Sequence, residues 1–136
     1  MGKTGGDSML MSVESEKPLA RLKEDVAKAC AAHKFGVLAV HDLREKMKEK
    51  GVQYEGECLI FEVCNPQKAK EALEAEPEIS TALPCRISVY RGKDGKTRLS
   101  TIRPTALVAL YEASGLKGLA EEVEATLSAI LKEAAR

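Results

Sequence analysis

The chain has 136 residues, enough for one domain with one sizeable core and too few for two such domains. Lys and Arg number 21, as do Asp and Glu, so the formal net charge is zero and no global field draws the protein to nucleic acid or to an anionic membrane. Hydrophobic residues make up 44% and charged residues 31%, a soluble globular mix, while 4% aromatic content leaves few rings on which bases or sugars would stack.

Residues 1–8 are Gly-rich and polar and read as a disordered tail. The run at Gly2–Gly6 lacks both a preceding strand and the spacing of a phosphate loop. Met9–Glu14 reads as a short first strand. Ser15 with Pro18 then opens a helix, since Pro in a first turn gives up an N–H that would have no partner there. Leu19, Leu22, Val26, Cys30 and His33 follow at spacings of three and four, one apolar face closed by Gly36. Cys30 reads as core, and His33 as a cation or partly buried residue at the helix end. Phe35–Val40 is an apolar run expected to form an interior strand ending at His41 and Asp42. Asp42 caps a short charged helix, Leu43–Lys50, stopped by Gly51.

Gly56–Cys64 alternates, with Leu59, Phe61 and Val63 on one face and Cys58, Ile60, Glu62 and Cys64 on the other. Asn65 and Pro66 form an N-cap and first-turn pair for a helix through Ala69, Ala72 and Leu73 that dies before Pro77. Leu83–Tyr90 reads as a strand with Cys85, Ile87 and Val89 pointing one way. Asp94-Gly95 makes a hairpin into the strand Lys96–Arg103. Pro104 ends the sheet, and a helical stretch around Ala106–Glu112 follows. After a break at Gly115 and Gly118, an amphipathic helix carries Leu119, Val123, Leu127, Ile130 and Ala134.

This order suits a single α+β domain over residues 9–136, a mainly antiparallel sheet with helices on one face. A doubly wound parallel sheet would need a GlyXaaGly turn after an early strand, and none is present. No apolar run approaches the roughly 18–20 residues of a membrane span, and the first residues have no apolar core of a secretory signal. Four cysteines without such a signal point to the reducing cytoplasm and to thiols rather than a disulfide framework.

Four short motifs stand out together: PheGlyValLeu at Phe35–Leu38, CysAsnProGlnLysAla at Cys64–Ala69, GluAlaGluPro before Glu78, and LeuProCysArgIleSerValTyr at Leu83–Tyr90. With its paired CysAsnPro and LeuProCys, the chain resembles the domain-of-unknown-function 302 family over almost its whole length. The resemblance implies a curved, mainly antiparallel sheet gripping helices, similar to one repeat of the TATA-binding-protein-like class, and a homodimer. It marks Asn65, Pro66 and Pro84 as structural motif positions and implies no activity. Lys34 stands where the family usually has Gly, a departure expected to leave only an unremarkable helix end.

Cys58 and Cys64 are roughly 20 Å apart on one strand at about 3.3 Å per residue, too far to share a metal. In the meander that the resemblance suggests, Cys64 approaches Cys85 at one end of the sheet and His41 approaches Cys58 at the other. Cys64 precedes the capped helix at Asn65, where exposed N–H groups favour a thiolate. A Cys64–Cys85 dithiol would suit redox exchange or a soft metal such as zinc or copper(I), with His41 and Cys58 as a weaker, separate position; two sulfurs alone fall short of a closed tetrahedral site. Against that stands plain packing, the commonest use of a free cysteine. His41 beside Asp42 reads first as a strand-end histidine next to a capping carboxylate. The charged stretches Arg44–Lys50 and Arg91–Lys96 read as solvated faces.

No HisGluXaaXaaHis, GlyXaaSerXaaGly or CysXaaXaaCys motif anchors an enzymatic assignment. The expectation is a non-enzymatic cytoplasmic homodimer that binds a small ligand or a protein partner in the groove between sheet and helices. The alternative is thiol redox or soft-metal handling through Cys64 and Cys85.

Overall fold

The computed structural model describes residues 8–136. The Gly2–Gly6 run and the expected tail up to residue 7 lie outside them. Ser8 is held in place, its hydroxyl accepting from Leu10 N–H at 3.0 Å and its carbonyl from Arg103 Nε at 3.0 Å.

Among the described residues, five strands and five α-helices follow in the order β1 (Leu10–Ser15), α1 (Leu19–Ala32), β2 (Gly36–Asp42), α2 (Leu43–Glu49), β3 (Cys58–Cys64), α3 (Pro66–Ala75), β4 (Cys85–Arg91), β5 (Thr97–Ile102), α4 (Pro104–Leu110) and α5 (Lys117–Ala135). Short 3-10 helices at Pro77–Ala82 and Ser114–Leu116 link α3 to β4 and α4 to α5. The described strands form one antiparallel sheet in the order β1-β5-β4-β3-β2, an α+β architecture. Among the described residues no helix is long and apolar enough to cross a membrane.

Local chemistry sets the helix starts. Asp42 Oδ1 accepts Glu45 N–H at 3.2 Å and Asn65 Oδ1 accepts Lys68 N–H at 3.1 Å, each side chain satisfying a first-turn donor that has no intrahelical partner. Pro18 is itself the N-cap of α1 rather than its first helical residue, its carbonyl accepting from Arg21 and Leu22. Ser15 instead ends β1, and its hydroxyl donates to the Ala135 carbonyl at 2.7 Å. Lys17 reaches the Ala134 carbonyl at 2.8 Å, so the last turn of α5 is fastened to the exit of β1.

Alternation builds the core. Leu59, Phe61 and Val63 of β3, Ile87 and Val89 of β4 and Leu99 of β5 meet Leu22, Val26 and Cys30 of α1 and Leu127, Ile130 and Leu131 of α5. Burial pushes the Cys30 thiol up to about 11, in keeping with its place in this core. A second, smaller cluster gathers Ile79, Val108, Ala113, Leu116 and Ala120 around the 3-10 helices, α4 and the start of α5.

Three expectations are corrected. The apolar run of β2 is an edge strand, not an interior one, and Val37, Leu38 and Val40 stay exposed with a bulge between Val37 and Ala39. Lys34 adopts φ 64°, so the helix end is not unremarkable: it demands the left-handed conformation that a glycine takes without strain. Gly118 lies inside the first turn of α5 rather than in a break. The expected Asp94-Gly95 hairpin forms, its turn running over Gly92–Gly95 with Gly95 N–H bonded to the Gly92 carbonyl at 2.9 Å and Gly95 at φ 84°.

Candidate functional site

Where β3 hands over to α3 and the chain re-enters the sheet at β4, the two hydrophobic clusters do not quite meet. Val63 lies opposite Cys85 in the ladder, and α3 with the Pro77–Ala82 turn spans the connection between the two strands. The gap is a cavity of about 90 Å³. Its walls are apolar: Phe35 and Val63 from the sheet side, Ala69 and Ala72 from α3, Leu107 and Val108 from α4, and Leu119, Ala120 and Val123 from α5. Asn65 and Lys68 are its polar members, together with the thiols of Cys64 and Cys85. Asn65 is already committed to capping α3.

Lys68, one third exposed, marks the mouth and is ion-paired with Glu122 of α5. The hydrogen bond and charge of Glu122, with a further contribution from Glu71, hold the Lys68 ammonium above its ordinary value. Close by, Glu124 clips α4 to α5, accepting from Thr105 N–H at 3.1 Å, Thr105 Oγ1 at 2.7 Å and Arg103 Nη1 at 3.1 Å. Burial alone would raise the Glu124 carboxyl, but the Thr105 and Arg103 bonds hold it below its ordinary value.

The antiparallel register brings Cys64 and Cys85 to the same cavity. Cys85 shares the helix-covered face with Ile87 and Val89, and burial, assisted by the proximity of Cys64, pushes its thiol up to about 11. His41 and Cys58 take separate partners: His41 Nε2 lies 3.5 Å from Glu62 Oε2, while Cys58 Sγ faces Ser88 Oγ at 3.9 Å. All four cysteines are free. Among the described residues no three His, Cys, Asp or Glu side chains gather closely enough to hold a metal ion, so zinc, which takes four ligands, finds no complete set in one chain at either position. Two thiolates alone would suit copper(I) better.

Sequence reasoning found the two thiols and the Asn65-Pro66 start of α3. The Lys68–Glu122 pair and the Glu124 clip were missed, because each joins helices whose relative placement no local pattern encodes.

A five-stranded antiparallel sheet with a helical layer and an apolar gap under α3 defines the class, an open-sheet α+β domain. The model of the family described as "Domain of unknown function DUF302" matches residues 11–134, and the chain belongs to that family. Its fold is similar to the crystal structure of an uncharacterized conserved DUF302 protein from Bacillus stearothermophilus, at 30% identity and a TM-score of 0.88, over 94% of this chain and 98% of that one. No curated protein matches the sequence.

Proposed function

We propose that this DUF302 domain binds a small apolar molecule in the cavity between β3, β4, α3, α4 and α5. The observation that carries the reading is the apolar gap between two otherwise packed clusters, since protein interiors normally close such space and unfilled volume costs stability. Its apolar lining suits a ring or a branched alkyl group. The four free cysteines fit a reducing compartment, and we place the protein in the cytoplasm.

The test is titration with propylbenzene, followed by methyl chemical shifts. Shifts at Val108 and Leu119 that vanish in Ala72→Leu support the proposal; no shifts at saturating propylbenzene refute it.

A second reading rests on Cys64 and Cys85 lining one cavity: two thiolates there would take a soft cation such as copper(I). The raised pKa of Cys85 works against it, because the thiol must lose its proton to bind. Native mass spectrometry decides between them, since a stoichiometric metal lost in Cys64→Ala would favour this reading. We also propose that the chain dimerises through the exposed Val37, Leu38 and Val40 of β2. Sedimentation in which Leu38→Lys leaves the dimer intact would remove that part.

A further inference from the structure

The walls of the cavity specify an apolar body, and its mouth specifies one more group. Among the described residues Lys68 is the one cation lining it. The ammonium is turned toward Glu122, a side chain that is 62% exposed and does not itself line the cavity. Lys68 therefore already holds a carboxylate, and that carboxylate is well placed to be replaced, because Glu122 returns to water at little cost when it leaves. Glu71 is the other acidic group acting on Lys68. The remaining charged pair nearby, Arg103 with Glu124, is engaged in clipping α4 to α5.

We propose that the ligand class is a small monocarboxylate with an apolar body, an aryl or short branched alkyl acid. Its body fills the space beneath α3 while its carboxylate takes the place of Glu122 on Lys68. The inference rests on the apolar-cavity reading above and adds the charged end. It gives Glu122 a definite role, an internal competitor whose removal strengthens binding, whereas a merely structural ion pair predicts no such gain.

The experiment compares 3-phenylpropanoate with propylbenzene by isothermal titration and methyl chemical shifts in the full chain. Three proteins are used: the parent, Lys68→Met and Glu122→Gln, with urea unfolding confirming that each is folded. The expected result is tighter binding of 3-phenylpropanoate than of propylbenzene. Lys68→Met should weaken the acid by about two- to fivefold and Glu122→Gln strengthen it by a similar factor, the range of a partly exposed ion pair, with propylbenzene unchanged in both. If both probes bind alike and neither variant alters the acid, the carboxylate assignment is overturned while the apolar cavity stands. If neither probe binds any of the three proteins, both readings fall.

Discussion

Replacing Ala72 with Leu tests the cavity directly, because Ala72 lines it from α3 and packs against the smaller cluster. Filling about 90 Å³ at roughly 24 cal/mol per Å³ returns at most about 2 kcal/mol. An independent count gives a similar figure: Leu adds three carbons, worth about 0.8 kcal/mol each when buried. Misfit against Val108 and Leu119 subtracts from this, so the expected gain is about 1 kcal/mol. Urea unfolding reads it as a higher midpoint at unchanged slope, and the same variant should no longer bind propylbenzene. A loss of about 1 kcal/mol or more would mean that the space beneath α3 cannot accept a side chain, and the reasoning from the cavity would fail.

Three further outcomes follow from the structure. Lys34→Gly should stabilise the protein by roughly 1 kcal/mol, since it relieves a left-handed residue at φ 64°; an unchanged urea midpoint would contradict the strain. Glu124→Gln should remove part of the acid sensitivity. The folded carboxyl lies below its ordinary value of 4.5, so its stabilisation is complete above that pH and is lost as pH falls through the folded value; parallel acid-unfolding curves for parent and variant would refute this. Cys30 should resist alkylation at neutral pH until the chain unfolds. Because its thiol is raised from 9 to about 11 in the folded state, its contribution is intact below pH 9 and declines as pH rises toward 11; fast labelling of Cys30 in the native protein would show the burial to be wrong.

Legibility tracked the range of the interaction. Asp42 and Asn65 were readable as caps because an accepting side chain three residues before its N–H donor needs nothing else from the fold. The faces of β3 and β4 were readable because alternation is a property of the strand itself, and the meander then carried Cys64 to Cys85. An apolar run such as Val37–Val40 says that a strand forms without saying how many neighbours it has, so β2 passed for an interior strand. Left-handed φ at Lys34 leaves no mark in the lysine itself; only the glycine usual at that position in the resembled family points to it. The cavity was the least readable feature, being the mismatch of surfaces contributed by stretches as separate as Phe35 and Val123.

The fastening of β1 bears on how the chain is made. Ser12 pairs with Ser100, 88 residues later, and Ser15 bonds to Ala135, 120 residues later. Within this domain β1 therefore has no ladder partner until β5 has been made, and its exit is not fastened until the last turn of α5 follows. Closing so long a loop adds only logarithmically to the entropic cost, so the finished protein loses little stability by this order of assembly. The burden falls on the interval before completion, when the face of β1 carrying Met11 and Val13 is bare and its edge is open to pairing with other nascent chains. Vectorial synthesis thus leaves β1 waiting longer for its partner than the other strands of this sheet, although in the completed fold it is pinned at both its ladder and its exit.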